Sequence, residues 1–155
     1  MKNITPYITG LKAGNVAQRR EAVAVLGKSG DVVAIPPLAE ALADPHPAVR
    51  CEVVQALGRI DDASAVSPLI HALEDTEPSV RAAALAALGR IRDPQSAIAI
   101  IPLLEDRVIE VRIGAAVVLG RLGNQRAIGP LKVLENDPFS EVREAAGMAI
   151  RRLEK

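Results

Sequence analysis

Two rows of charged residues include most of the side chains that could take part in chemistry. Arginine recurs every 31 residues (50 to 81, then 81 to 112), and aspartate recurs with the same step six residues earlier. Arginine and carboxylate groups pair through two parallel hydrogen bonds, so an arginine reaching back to the turn that holds the aspartate would fix that turn. We therefore interpret both rows as structural. The arginine row is Arg19, Arg50, Arg81, Arg112 and Arg143, and the aspartate row is Asp44, Asp75, Asp106 and Asp137.

A second basic row follows the apolar stretch that ends each repeat: Lys28, Arg59, Arg90, Arg121 and Arg152. Small and apolar side chains share its face of the helix, and exposed apolar residues in one patch usually mark a partner surface. The alternative is that these cations only favour the helix dipole. We predict a partner-binding surface, with an acidic partner facing the arginines. Its predicted residues are Gln55, Arg59, Ala86, Arg90, Ile113, Val117, Arg121 and Met148.

Groups for catalysis or metal binding are sparse. The two histidines, His46 and His71, fall in a predicted turn and on a predicted short helix, and Cys51 is the only cysteine. A metal site needs several convergent ligands, and a nucleophilic cysteine needs a base beside it. We therefore predict no enzyme activity, no catalytic residues, no metal site and no cofactor.

The 31-residue step organises the whole chain into five repeats, and a fixed period in this range indicates a stacked repeat protein. The repeats are 1–31, 32–62, 63–93, 94–124 and 125–155, which we expect to form a single domain. Each repeat predicts a short helix A, with proline tolerated in its first turn, and a longer helix B with apolar residues on one side. No stretch alternates with the period of a strand.

Single residues predict how these helices begin and end. Side chains placed to cap the start of helix A recur as Asp31, Asp62, Asp93 and Asn124, since aspartate and asparagine accept hydrogen bonds from the free amides there. Gly30 and Gly123 stand where a left-handed residue would end helix B.

The last two repeats depart from the pattern. In the fourth, Pro102 lacks the amide that would bond to the Ile98 carbonyl, so helix A should start late or kink. In the fifth, Lys132 and Glu135 replace apolar residues, as in a more polar end repeat. The last helix, about 140–153, has one neighbouring repeat to pack against, so we expect partial exposure of Val142, Ala149 and Leu153.

The Pro-Leu, Asp, Val-Arg and Ala-Leu-Gly-Arg-Ile elements, the last at 87–91, resemble the HEAT repeat of the short bilin-lyase (PBS-lyase) type. The resemblance implies an all-α, right-handed α-solenoid of five helix pairs, with helix B lining the concave surface. The resemblance is specific for the fold and not for the function; with the exposed apolar and basic residues on helix B, we expect a protein-interaction scaffold that binds its partner in that groove. A subunit of a bilin lyase-like modification enzyme and a nucleic-acid-binding array remain alternatives, because one fold hosts many functions.

Deoxyhypusine hydroxylases, which share this repeat type, hold iron through His-Glu pairs that follow Val-Arg. The resemblance predicts no such site here, because no histidine stands at any matching position. Those positions read Arg20-Glu21, Cys51-Glu52, Ala82-Ala83, Ile113-Gly114 and Glu144-Ala145.

Composition narrows the class of partner. Lys plus Arg and Asp plus Glu both number 19, and aromatic residues make up 1% of the 155 residues. A dedicated nucleic-acid binder is normally basic, so this balance argues against nucleic acid. No apolar run reaches membrane length, and from residues 1–10 we expect no cleaved leader. We expect a cytoplasmic protein that binds another protein or peptide, with a homo-oligomer through the end repeats as one form.

Overall fold

The computed structural model describes residues 3–155, and within that range it contains ten α-helices and no β-strand, which confirms the predicted all-α class. The chain forms two compact units, one ending at Ile91 and the other spanning Arg92–Lys155. Grouping of all five repeats into a single domain stays a prediction.

The first unit holds six helices in which short and long members alternate. They are α1 (Thr5–Gly10), α2 (Val16–Ser29), α3 (Ile35–Glu40), α4 (Pro47–Ile60), α5 (Val66–Ala72) and α6 (Pro78–Ile91). Helices α2, α4 and α6 are the predicted B helices, and each has 14 residues.

The second unit repeats the alternation twice. Its helices are α7 (Ser96–Ile100), α8 (Ile109–Leu122), α9 (Ile128–Val133) and α10 (Ser140–Leu153). Helices α8 and α10 are again B helices of 14 residues.

The predicted capping residues act as expected. Asp31 accepts a hydrogen bond from the Val33 amide at 3.0 Å, and Asp62 accepts one from the Ser64 amide at 2.8 Å. Asp93 and Asn124 do the same two residues on. Each carboxylate or amide oxygen satisfies an amide that has no partner inside the helix.

Helices α2 and α8 end in a left-handed residue, as predicted for Gly30 (φ 66°) and Gly123 (φ 74°), whereas α10 ends at Glu154 with φ −88°. At the same place after α4 and α6 stand Asp61 (φ 56°) and Arg92 (φ 58°), which lack the freedom of glycine. A non-glycine residue pays a steric cost there, so the repeat geometry imposes this turn even where the local sequence does not favour it.

Pro102 shortens helix A of the fourth repeat but does not delay its start. Helix α7 begins at Ser96, so the predicted late start is wrong. The α-helix stops at Ile100, and the chain continues as a 3₁₀ turn over Ile101–Glu105. Helices α3 and α9 also run into 3₁₀ turns, at Ala41–Ala43 and Leu134–Asn136, so the missing Pro102 amide accounts for the earlier end of α7 and not for the 3₁₀ turn itself.

Glycine lets the B helices approach one another closely. A Cβ added at Gly27 would lie 2.6 Å from Ala56 Cβ, and one at Gly58 would lie 2.8 Å from Ala87 Cβ. In the second unit, a Cβ at Gly120 would lie 2.8 Å from Ala149 Cα. Because the core has almost no aromatic side chains to span wider gaps, these close contacts let Leu and Val fill the interior.

The expected partial exposure of the last helix is wrong. Val142, Ala149 and Leu153 are all buried. Helix α10 packs against α9 and the turn Leu134–Asn136 as well as α8, and Gln125 Nε2 donates to the Leu153 carbonyl at 2.6 Å. One neighbouring repeat, together with its own helix A, is therefore enough to cover the apolar side of α10.

We predict that Gly120→Ala lowers the free energy of unfolding by about 1–3 kcal/mol, because the added methyl group would overlap the backbone of Ala149. The matched control is Gly129→Ala on α9, where a Cβ meets nothing within 4 Å. Urea titrations of both variants measure the effect. Equal stabilities would show that close helix approach does not limit packing here.

Candidate functional site

The arginine row binds two successive turns at once. Arg50 Nη1 donates to the Asp44 carbonyl oxygen at 2.9 Å, which fixes the turn of its own repeat as predicted. Its Nε and Nη2 atoms donate to Asp75 in the next repeat, at 2.7 and 2.9 Å. The expectation that Arg50 reaches the carboxylate six residues earlier is therefore wrong, because the Asp44 carboxylate is bound by Arg19 of the preceding repeat.

Arg50 and Asp75 are 25 residues apart, and two other arginines bind the aspartate 25 residues later in the same way. Arg19 binds Asp44 through Nε and Nη2 at 2.6 and 3.1 Å, and Arg112 Nε lies 3.0 Å from Asp137 Oδ2. The Arg112 guanidinium also lies 5.7 Å from the centre of the Phe139 ring, within cation–π range. This stacking gives the exposed Phe139 a structural role.

The own-repeat contacts extend to the other arginines. Arg81 and Arg143 donate to the carbonyl oxygens of Asp75 and Asp137, at 2.9 and 2.7 Å. Arg81 is buried. Both arginines therefore fix the turn between helices A and B, as interpreted from sequence.

The carboxylates of this row hold their own turns together. Asp44 accepts from the His46 amide at 2.8 Å, and Asp75 accepts from the Glu77 amide at 2.9 Å. Burial raises the pKa of each carboxyl, but hydrogen bonds from the neighbouring arginine and backbone amide outweigh it, so both pKa values are lowered. The ionised form is thus the one that the folded chain stabilises.

We expect Arg50→Ala to lower the free energy of unfolding by about 1–3 kcal/mol, because charged hydrogen-bond partners would be stranded. A double-mutant cycle with Asp75→Ala, followed by chemical denaturation, isolates the pair from other effects of each substitution. The pair would be structurally unimportant if the two changes were simply additive. Lys12→Ala, which removes an exposed ion pair with Glu40, is the control and should change little.

The lowered pKa of Asp75 predicts a pH dependence. A carboxylate with a folded-state pKa below its unfolded value stabilises the protein above the unfolded value, about 3.9 for aspartate, and loses that contribution as pH falls through the folded-state pKa. Asp75→Asn should therefore be less stable than the natural chain at neutral pH, and the difference should shrink in acid. Melting temperatures between about pH 7 and 3 measure it, and a constant difference would contradict the assignment.

The second basic row is not used in this way. Arg59, Arg90 and Arg121 are exposed, and within residues 3–155 their side chains make no hydrogen bond or ion pair. The fold therefore does not use these three charges for its own ion pairs. They remain available to a partner, unlike the charges of Arg19, Arg50 and Arg112, which are paired with aspartates.

In the first unit, predicted residues from two helices line one depression. Gln55 and Arg59 come from α4, and Ala86 and Arg90 come from α6, around a space of about 290 Å³. Gly58, Ala83 and Ala87 form the rest of its lining. Because the close approach at Gly58 leaves only small side chains between the two arginines, the depression presents two cations over a small apolar floor.

In the second unit, the remaining predicted residues lie on α8 and α10. Ile113 and Val117 are half-buried on α8, while Arg121 and Met148 are exposed, Met148 at 43%. Helices α8 and α10 pack directly against each other. The second unit thus brings apolar side chains and a free arginine onto adjacent B helices, as the sequence predicts for each helix separately.

Acidic side chains on the same face were not assigned a role from sequence. Glu110, at the start of α8, and Glu141 and Glu144, at the start of α10, are all exposed. Their signal was present as a spacing: 110, 113, 117 and 121 lie on one side of a helix, as do 141, 144, 148 and 152.

The candidate reactive groups stay apart. Cys51 is half-buried, its pKa is raised mainly by burial, and its Sγ lies 3.7 Å from Gln55 Nε2, so a reactive thiolate is disfavoured. His46 caps the start of α4 by accepting from the Ala48 amide at 3.3 Å, and His71 lies on α5.

Among residues 3–155, no group of three or more His, Cys, Asp or Glu could hold a metal ion. No helix in that range is long and apolar enough to cross a bilayer.

Comparison with known families gives two overlapping matches to the model for HEAT repeats, at residues 4–78 and 66–151. The comparison with curated proteins gives no match. Among solved structures, the chain is similar to the complex of CpcE and CpcF of phycocyanin lyase from Nostoc sp. PCC7120, with 26% identity and a TM-score of 0.81. The match covers 99% of this chain, which spans 65% of the length of that one.

More distant structures share the fold. A designed armadillo repeat protein in complex with the peptide (KR)4 has 20% identity and a TM-score of 0.76, over 97% of this chain and 81% of the designed one. Human deoxyhypusine hydroxylase in complex with glycerol has 17% identity and a TM-score of 0.64, over 99% of this chain and 96% of the enzyme. These similarities, with the family match, place the chain among α-solenoids of paired helices.

Proposed function

The chain belongs to the HEAT-repeat family, and from that premise we propose that it is a protein-interaction scaffold that binds a partner protein or peptide on the face of its B helices. We call this the B-helix face: the exposed side of α4 and α6 in the first unit, and of α8 and α10 in the second. The partner contacts are those predicted from sequence, with Arg59 and Arg90 in one unit and Arg121 in the other.

One observation supports this most strongly: the two arginine rows differ in what they bind. Arg19, Arg50 and Arg112 pair with aspartates of the fold, whereas Arg59, Arg90 and Arg121 are exposed and have no such partner among residues 3–155. A free cation beside a small apolar floor attracts carboxylates, steers their approach and sets their register. An acidic segment of a partner fits this chemistry.

Similarity to the phycocyanin lyase complex favours a second candidate, a subunit of a bilin lyase-like modification enzyme. The described side chains offer no acid–base pair and no activated thiol on the B-helix face, so this role would be assembly or ligand placement. Co-purification of a bilin chromophore, read by visible absorbance, distinguishes it from a plain scaffold.

We predict that Arg59→Glu with Arg90→Glu weakens partner binding by about tenfold or more and removes much of its salt dependence, while the fold is kept because both side chains are exposed. The partner is first identified by affinity capture from the source cells. Titration at low and high salt then gives the dissociation constants.

The matched control is Arg126→Glu with Lys132→Glu, which changes the net charge equally at two exposed basic residues in the turn before α9 and on α9 itself. It should bind like the natural chain. If this control loses binding and the B-helix variant does not, the working surface is on the helix A side and the proposal fails.

A further inference from the structure

Three parallel stripes of different chemistry cross the B-helix face of the second unit. An acidic stripe lies at the start of the two helices, formed by Glu110 on α8 with Glu141 and Glu144 on α10. A basic stripe lies near their ends, formed by Arg121 and Arg152. Between them lies an apolar stripe of Ile113, Val117 and Met148.

The stripes follow from the helix period and from the repeat. Residues 110, 113, 117 and 121 step by three or four, which keeps them on one side of α8. Each has its counterpart 31 residues later on α10, at 141, 144, 148 and 152. Helices α8 and α10 pack directly against each other, with Gly120 close to Ala149. Residues of the same chemical type therefore stand at matching positions of the two helices, and the exception is Glu144, which matches Ile113.

The charges at both edges are available. The five charged side chains of the two stripes are exposed. Among the described residues they make no ion pair, and Ser140 Oγ donates to the Glu141 carboxylate at 3.0 Å. Hydrogen bonds from its own amide and from Ser140 lower the pKa of Glu141, and nearby Arg143 contributes. All three glutamates are therefore open to a cationic partner.

The first unit lacks this arrangement. At the positions of the acidic stripe, α4 carries Ala48 and α6 carries Ser79, while the arginines at the other end, Arg59 and Arg90, are kept. Since a repeat can evidently be built with neutral residues there, the acidic stripe is a property of the second unit and is not required by the fold.

We propose that the second unit binds an amphipathic helix of a partner protein that has an apolar ridge, an acidic flank and a basic flank. The helix lies across α8 and α10, its ridge on Ile113, Val117 and Met148. Its basic flank meets the glutamates and its acidic flank meets Arg121 and Arg152. This inference rests on the proposed scaffold function and names the partner's chemistry.

Dimensions select a helix over an extended peptide. Glu110 and Arg121 are 11 residues apart, which is about 16 Å along α8 at 1.5 Å per residue. A helix with its side chains is about 10–12 Å across, so charged side chains on its two flanks reach both stripes at once. An extended strand over the apolar stripe is too narrow to bind both edges.

The test uses three synthetic peptides of about 16 residues, long enough to cross two adjacent helices. All share a leucine ridge; their flanks are glutamate and lysine, glutamate only, or lysine only. Fluorescence anisotropy with the full chain gives their affinities, after circular dichroism has matched their helicities. We expect the mixed peptide to bind about tenfold more tightly than either uniform peptide at low salt.

Charge reversal should then change the preference in a defined direction. Arg121→Glu with Arg152→Glu makes both edges acidic, so the variant should prefer the lysine peptide. Glu110→Lys with Glu141→Lys leaves Glu144 in place but gives both edges a net positive charge, so that variant should prefer the glutamate peptide. If a reversed variant has a lowered melting temperature, Arg121→Gln with Arg152→Gln takes its place, and should lose the preference for mixed over lysine flanks.

An unchanged ranking of the three peptides in these variants would overturn the inference. Failure of the inference differs from failure of the scaffold proposal. If the glutamate peptide binds the natural chain best and Arg59→Glu with Arg90→Glu abolishes that binding, the B-helix face still binds an acidic partner, but the three-stripe assignment is wrong. If none of the peptides binds and the B-helix variants keep the captured partner, both proposals fail.

Discussion

The guanidinium of Arg50 holds two repeats at once, and much of the structure depends on that double attachment. One edge of the group binds a carbonyl of its own turn, and the other binds Asp75 of the next repeat. The same aspartate orders its turn by accepting the Glu77 amide. Because each charge serves the turn and the junction together, turn geometry and repeat stacking cannot vary independently. Glycine opposite alanine between the B helices then sets how closely the repeats approach.

Because these structural interactions use the turns and the packed sides of helix B, the exposed side of helix B carries none of them. The structural charges lie at the turns, the small residues lie at the contacts between B helices, and leucine and valine fill the core. The exposed side of helix B is not needed for any of these tasks, so its residues vary between repeats without disturbing the fold. Ala48 and Ser79 in the first unit stand where Glu110 and Glu141 stand in the second, and all four helices have 14 residues.

The helices, their caps and the set of residues that share one side of helix B follow from the sequence, because each depends on local spacing. Gly30, Gly123 and the four capping residues needed only the chain on either side of them. The sequence pairs arginine with the wrong aspartate. The aspartate six residues earlier is near in the chain, but stacking brings the aspartate 25 residues later, in the next repeat, just as close, and spacing alone does not choose between them. Burial of Val142, Ala149 and Leu153 was missed for a related reason. Counting neighbouring repeats ignores the cover given by α9 within the same repeat.

A net charge of zero conceals how this chain could attract a partner. Summed over all residues, Lys and Arg balance Asp and Glu, which argues against the long-range attraction that a nucleic acid needs. Screening limits exposed charges to about 8 Å at physiological salt, so a partner responds to local stripes and not to the sum. Arg19, Arg50 and Arg112 of the first row are paired with aspartates within the fold, whereas Arg59, Arg90 and Arg121 have no such partner among residues 3–155. Recognition therefore depends on which charges folding leaves unpaired, and that is a property of the structure that composition cannot reveal.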